Sequence, residues 1–412
     1  MNDKIENLEI INLSNYTGYG IFNNKKCFVE GSVIGDIVDV KIEKENKNFY
    51  SGKIINFIKK SRNRVEPFCE YFGKCGGCDL QYLNDNYYYE IKLNDLYNHL
   101  LKNSYKIEKN DIEIFKTKKF SRRRINLKYS AGKYGFFKHS SNNIVEFNDC
   151  CIIKPEIQEI INLFRNIRLS NLNSIDITSV DNGITINLIF NDSPNIKDFE
   201  KLKYIKEKVI LITYSLNNEE IFFTIFKAKD PIIILDGKEI IIPEKCFLQA
   251  TKESQDFMID VVKKYSEKYK NIADLYCGIG TYSYPICENA KVFSYEGNKT
   301  MIDNFKKNKS NIQAKLRDLF NQPLINNELN NFDLVVIDPP RNGAGNQIKY
   351  LNSSNVKRII YISCSIEALM RDLKLLKEYT IKKVFLVDQF YMTTHLETIV
   401  ILDKIKERKK IF

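Results

Sequence analysis

Cys364 lies in the stretch YISCSIEAL, residues 361–369, where a strand-like pattern runs into a helix-like one. A thiol at such a strand end is either a small apolar filler or a thiolate that attacks an electrophile. Nearer the chain end, Glu397 stands in DQFYMTTHLETIVIL. A thiol nucleophile and a carboxylate base are the pair needed to alkylate a carbon that is not itself nucleophilic. On a pyrimidine ring, thiolate addition to C6 makes an enolate whose C5 takes up a methyl group. A base then removes the C5 proton and the thiol leaves. From the residues alone, Cys364 stays open between filler and nucleophile, and Glu397 between base and surface strand position.

Further candidates end successive strand-like segments. Asp274 opens DLYCGIGT, in which Gly278 and Gly280 carry no Cβ and let the backbone approach a ligand. The third glycine of the dinucleotide fingerprint is missing, which argues against a nicotinamide cofactor. Glu296 closes KVFSYE, where a carboxylate can accept from ribose hydroxyls; Asp318 follows QAKLR, and Asp338 begins DPP. Taken singly, each acid reads as a helix cap or a solvated loop residue. In register, they mark a ligand site beyond the carboxyl ends of a parallel sheet, the layout of S-adenosylmethionine-dependent methyltransferases.

A second cluster is Cys69-x5-Cys75-x2-Cys78 in a Gly-rich loop, with Cys150 far downstream. Four thiolates hold either a tetrahedral zinc or an iron–sulfur cluster, and spacing does not choose between them. Arg122, Arg123 and Arg124 form a run that is either a solvated face or a phosphate contact. Cys277 and Cys287 read as packing residues.

The elements that must position these groups are legible in outline. Residues 7–60 alternate apolar and polar residues between Gly and Asn turns, predicting a small five-stranded OB-type barrel. NYYYEIKLNDLYNHLLKN has helical spacing, and strands dominate from about 120 to 235, with SAGKYG as a hairpin turn. From about 245 strands and helices alternate, the signature of a doubly wound sheet. A chain of 412 residues accommodates two or three domains. With 43% hydrophobic and 28% charged residues it is globular, and its longest apolar runs are too short to span a bilayer. The start MNDKIENLEI has no apolar signal core, so a cytoplasmic location is expected. There, ten cysteines favour catalysis, metal binding or burial over a disulfide framework. A net charge of +11 favours an anionic partner, nucleic acid first, although a chain so rich in Lys, Asn and Ile shares that excess with a general compositional bias.

From end to end the chain resembles the RNA uracil-5-methyltransferases, in the branch with an N-terminal TRAM domain and an iron–sulfur cluster. The pieces that carry the resemblance include EPFCEYFGKCGGCDLQYL, SRRRINLKYS, IVEFNDC, CFLQA, DLYCGIG, IDPPRNGAG, YISC and THLE. It implies an α/β fold class: a C-terminal Rossmann-like class I methyltransferase domain at 241–412, an N-terminal OB-like TRAM barrel at 1–60, and a β-rich central iron–sulfur domain at 61–240. By the same resemblance Cys364 is the nucleophile and Glu397 the base. Gln249, Tyr276, Gly278, Gly280, Thr281, Glu296, Asp318 and Asp338 fall on S-adenosylmethionine contacts. Cys69, Cys75, Cys78 and Cys150 fall on the ligands of a [4Fe–4S] cluster, expected to tie the barrel's exit loop to the IVEFNDC strand.

The implied reaction is 5-methyluridine formation in RNA, with 23S ribosomal RNA as the expected substrate and transfer RNA the alternative. The enzyme is expected to be a monomer without membrane contact. The rival of another class is a non-catalytic RNA-binding or assembly factor, against which intact Cys364 and Glu397 argue. Four positions depart from the family pattern: Ser365-Ile366 replaces Asn-Pro, Thr281 replaces Asn, and Tyr391 replaces Pro. Ser365 is still expected to cap the helix that follows.

Overall fold

Alternation along the first sixty residues produces six short strands, described here from a computed structural model that covers residues 4–405 except 218, 220 and 309. They are β1 (Lys4–Glu9), β2 (Asn12–Ser14), β3 (Thr17–Phe22), β4 (Lys25–Val29), β5 (Ile37–Glu45) and β6 (Phe49–Lys59), in the sheet order β1-β5-β6-β4-β3-β2. The expected five strands are thus six, because the three-residue β2 is too short to show a period. The register between β5 and β6 shifts at three places, and such bulges increase coiling. The sheet curls far enough to bring β3 against β1, where a Cβ on Gly20 would lie 2.3 Å from the Glu9 carbonyl oxygen. Gly52 likewise lets β6 press on β5, since a Cβ there would lie 2.4 Å from the Lys41 carbonyl oxygen. Ile5, Leu8, Cys27, Val29, Val38 and Val40 fill the interior. Buried Asp36 fastens the exit, accepting from the Ser61 N–H at 2.8 Å and the Arg64 guanidinium at 2.6 Å.

By contact density the chain divides into Met1–Asn98 with Met392–Thr394, and His99–Tyr391 with His395–Phe412. The expected helix runs over Asp85–Lys102, with the Asn84 side chain accepting from the Tyr87 N–H at its start. The second unit begins with β7 (Ile112–Phe115) and continues with a β-rich layer. Its strands are β8 (Arg124–Ser130), β9 (Lys133–Phe137), β10 (Ile144–Val145), β11 (Leu172–Val180), β12 (Gly183–Phe190), β13 (Leu211–Leu216) and β14 (Phe223–Lys227), ordered β10-β9-β8-β11-β12-β13-β14. Ala131 and Gly132, both at positive φ, make the expected hairpin turn between β8 and β9. A two-stranded hairpin follows, β15 (Ile232–Leu235) and β16 (Lys238–Ile241).

The alternating segment folds as expected into a doubly wound sheet. Its strands are β17 (Asn271–Leu275), β18 (Lys291–Glu296), β19 (Gln313–Leu316), β20 (Leu334–Ile337), β21 (Arg358–Ser363), β22 (Tyr379–Val387) and β23 (Glu397–Lys404). The order is β19-β18-β17-β20-β21-β23-β22-β7. Every residue of β20 and β21 is buried, as fits central parallel strands covered on both faces. The eighth strand, β7, comes from upstream and pairs parallel with β22, a pairing the sequence reading did not anticipate. Helix Lys252–Ser266 turns Met258, Ile259, Val261 and Val262 into the core and is capped by Thr251, which accepts from the Ser254 N–H.

Candidate active site

Strand order locates the site. β17 lies between β18 and β20, so successive crossovers leave it in opposite directions and a crevice opens beyond its carboxyl end. A cleft of about 680 Å³ lies there, lined by Gln249, Tyr276, Gly278, Thr281, Glu296, Asp338, Cys364 and Glu397 among others. Eight residues singled out from separate stretches of sequence thus share one cavity.

The glycine turn forms its floor. Tyr276, Gly278 and Gly280 all take positive φ, at +60°, +53° and +87°. A Cβ on Gly278 would meet nothing within 4 Å, whereas one on Gly280 would lie 2.8 Å from the Phe305 ring. Gly278 therefore leaves room on the cleft side, while Gly280 seats the turn on the core and does not line the cleft. The Glu296 carboxylate accepts from the Gly278 N–H at 3.0 Å and the Asn298 N–H at 2.9 Å. Each oxygen keeps a lone pair for a further donor such as a ribose hydroxyl. Asp318 is exposed and lies outside the cleft lining; hydrogen bonds from Asn321, with help from the Phe320 N–H, hold its pKa below the usual carboxylate value.

The reactive pair comes from an antiparallel insertion. β23 runs between β21 and β22 with Thr398 opposite Ser363. Its first residue, Glu397, is thereby brought to the same end of the sheet as Cys364, the residue after β21. Burial, and then the charge of Asp338, push the Glu397 pKa well above its usual range. Asp338 is pushed up to about 7 by burial and by Asp274. Asp274 is itself fully buried, raised to about 7 by burial, and receives the Ser283 hydroxyl at 2.5 Å. For the Cys364 thiol, burial first and then Glu397 and Asp338 push the pKa up to about 11, with Arg341 opposing. Burial and nearby negative charge both disfavour the thiolate, and a nearby cation favours it.

Ser365 follows at once and caps helix Ile366–Leu373, accepting from the Ala368 N–H at 3.3 Å. The capping role expected for it is therefore present, and helix Ile366–Leu373 starts one residue past the thiol without the family's proline.

In the first unit, Cys69, Cys75 and Cys78 occupy a loop of tight turns, and all three are half-buried. Burial raises the Cys75 thiol and Cys69 adds to the rise, while a Gly77 backbone hydrogen bond opposes it. Soft donors a few residues apart, with an amide directed at sulfur, suit a thiolate-ligated group. Among the described residues, no three Cys, His, Asp or Glu side chains already converge as a metal cage. In the second unit Cys150 precedes a segment that pairs with the arginine run: the Phe120 N–H donates to the Cys151 carbonyl at 2.9 Å and the Arg122 N–H to the Ile152 carbonyl at 3.0 Å.

The model of the tRNA (uracil-5-)-methyltransferase family matches residues 89–405, and that of the TRAM domain residues 4–55. The chain belongs to the tRNA (uracil-5-)-methyltransferase family. It is an S-adenosylmethionine-dependent RNA methyltransferase acting at uracil C5. An uncharacterized RNA methyltransferase of Agrobacterium fabrum is 30% identical, covering 86% of this chain and 89% of the relative. A 23S rRNA (uracil(1939)-C(5))-methyltransferase of Mannheimia succiniciproducens is 27% identical, covering 96% and 95%. The crystal structure of the Pyrococcus abyssi tRNA (uracil-54, C5)-methyltransferase, in complex with S-adenosyl-L-homocysteine, shares the fold at a TM-score of 0.77 and 21% identity, covering 96% and 99%.

Several residues of the methyltransferase site escaped the sequence reading. Gln389, just past β22, donates through Nε2 to Glu397 at 2.6 Å and to the Gln249 side-chain carbonyl at 2.8 Å. Tyr282 is buried and its hydroxyl accepts from the Gln249 side-chain amide at 3.4 Å. The arginine run divides: Arg122 and Arg124 line the cleft, whereas Arg123 is buried and donates to the Gln249 backbone carbonyl at 3.0 Å. A phosphate role for Arg123 is therefore corrected to a structural one. Residues two apart on an extended chain share a face, a signal that separates Arg123 from its neighbours. Cys277 is buried, and the Cys287 thiol donates to the Tyr284 carbonyl, as suits packing residues. No described helix is long and apolar enough to cross a membrane.

Proposed function

We propose that this enzyme methylates C5 of a uridine in 23S ribosomal RNA through a covalent bond between Cys364 and C6 of the base. The observation that carries the reading is the antiparallel entry of β23, which sets Glu397 and Cys364 at one end of the sheet on one cleft. The Cys364 thiol loses its proton to water and the thiolate adds to C6, leaving an enolate with nucleophilic C5. C5 takes the methyl group of S-adenosylmethionine, and S-adenosylhomocysteine is the leaving group. Glu397 removes the C5 proton, and the returning electron pair breaks the C6–S bond. Asp338 places the base, and Arg341 supports the thiolate electrostatically.

On this reading Gln249, Tyr276, Gly278, Thr281 and Glu296 hold the methyl donor, Gly280 shapes the turn beneath it, and Asp318 is assigned a further contact to it. The target nucleotide must leave its stack to reach the cleft. The TRAM barrel, residues 1–60, and a central domain, 61–240, contribute RNA binding, and residues 241–412 form the methyltransferase domain. Ribosomal RNA is favoured over transfer RNA by the substrate of the Mannheimia succiniciproducens relative. Cys69, Cys75, Cys78 and, as fourth ligand, Cys150 are assigned to a [4Fe–4S] cluster with a structural task. Free thiols, four of them half-buried ligand candidates, suit a reducing cytoplasm.

The test is transfer of label from S-adenosylmethionine to RNA from cells lacking the gene, followed by mapping of 5-methyluridine. Cys364→Ala is expected to abolish transfer, and Glu397→Gln to trap a denaturation-resistant protein–RNA adduct carrying the methyl group. Full transfer by Cys364→Ala would remove the covalent mechanism, and label confined to transfer RNA would remove the ribosomal substrate.

A further inference from the structure

Glu397 is buried, and among the described residues its carboxylate has one hydrogen-bond partner, Gln389. Gln389 is itself 2% exposed, and its amide is fully committed. Its Oε1 accepts from the Ala250 N–H at 2.8 Å, and a backbone N–H can only donate, which fixes the orientation of the amide. Nε2 must then donate, and it does so to Glu397 Oε2 at 2.6 Å and to Gln249 Oε1 at 2.8 Å. The Gln249 amide continues to the Tyr282 hydroxyl at 3.4 Å. A buried polar chain thus runs from Glu397 through Gln389 and Gln249 to Tyr282.

We propose that Gln389 is a positioning residue for the proton-removal step: it engages one oxygen of Glu397, turns the other toward the cleft, and locks this orientation to Gln249 and the Ala250 backbone. The inference rests on the reading of Glu397 as the base. A carboxylate held by a donor on one oxygen presents the other as the proton acceptor, and holding it costs no reorganisation during the reaction. The donor also favours the ionised carboxylate, opposing burial and the charge of Asp338. The remaining charged or titratable groups facing Glu397 are Cys364, Arg341 and the Tyr282 hydroxyl, with Asp274 behind Asp338.

The prediction concerns which step fails. Gln389→Met keeps the side-chain length and removes the donor, so Glu397 becomes harder to ionise and less well aimed. Methyl transfer into RNA should stay within about twofold in a single turnover. Release of tritium from [5-³H]uridine RNA should fall at least about tenfold, methylated adduct should accumulate, and the acid limb of the release rate should move up by about one pH unit. Gln389→Glu keeps an acceptor for the Ala250 N–H and sets a second carboxyl beside Glu397, so it should move that limb in the same direction; it serves if the methionine variant does not fold. Parallel loss of methyl transfer and tritium release without adduct, or an unmoved acid limb, would overturn the proposal. Glu397→Gln is the control. If it traps adduct and the Gln389 variants do not, only the positioning role fails; if it traps none, the assignment of Glu397 as base has failed.

Discussion

The Arg123 guanidinium donates to the side-chain carbonyl of Gln255 at 2.6 Å inside the core of the methyltransferase unit, with 2% of the arginine exposed. Burial pushes its pKa down to about 10, and the Gln249 and Gln255 carbonyls hold the charged group in place. Removing it as Arg123→Met leaves two buried acceptors without a donor, at about 1–3 kcal/mol each. Denaturant unfolding should show a midpoint lowered accordingly. An unchanged midpoint with weakened RNA binding would return Arg123 to phosphate contact.

The thiol offers a second measurement. Only the thiolate is alkylated, and a pKa of about 11 leaves little of it at neutral pH. Iodoacetamide labelling of Cys364, followed by mass spectrometry in the free enzyme, should rise roughly tenfold per pH unit from pH 7 to 10. Arg341 lowers the thiol pKa, so Arg341→Met should slow labelling at every pH in that range. Equal rates in the two proteins would show that the arginine does not act on the sulfur.

Stability should depend on pH through the buried acids. Asp274 and Asp338 are raised to about 7 in the folded chain, so the folded state holds their protons longer than the unfolded state. Their contribution is complete below about pH 4 and is lost as pH rises through about 7. Asp274→Asn cannot ionise and keeps an acceptor for the Ser283 hydroxyl. Its melting temperature relative to wild type should therefore be higher at pH 8 than at pH 5; a pH-independent difference would contradict the raised pKa.

Ser365 stands where relatives in the family carry asparagine, and its hydroxyl caps helix Ile366–Leu373. Asparagine and serine are near-equal caps. Ser365→Asn should leave turnover within about twofold, whereas Ser365→Ala should cost about 1 kcal/mol of stability. A large activity change in the asparagine variant would indicate a role beyond capping.

For the thiol loop, anaerobically purified enzyme should absorb broadly near about 400 nm, and Cys75→Ser should abolish that band. Protein that holds zinc and no iron would remove the iron–sulfur assignment.

What was legible in the sequence was what lies close together in it. DLYCGIG announces a tight turn after a strand, and Glu296 and Asp338 at later strand ends share one crevice because parallel strands end together, whereas Asp318 is exposed outside its lining. Cys364 and Glu397 were recognisable through motif resemblance, while their adjacency comes from the reversed direction of β23. Gln389 was not legible, because its partners Ala250, Gln249 and Glu397 lie in separate segments that only folding joins. β2 and β7, of three and four residues, are too short to show a period of two. Arg123 shares its letter with two neighbours, and only the alternation of the extended chain assigns it to the interior.

The position of β7 has a consequence for how the catalytic layer is made. Its partner β22 is synthesised much later, so Ile112–Phe115 leaves the ribosome long before the edge it will cover exists. Closure of that long loop is an inherently late event. A gene fragment starting after the central layer would leave β22 as a bare edge, open to pairing with another molecule. The upstream strand therefore serves as a seam: it makes the methyltransferase sheet complete, and guarded against self-association, only in the chain that also carries the layers before it.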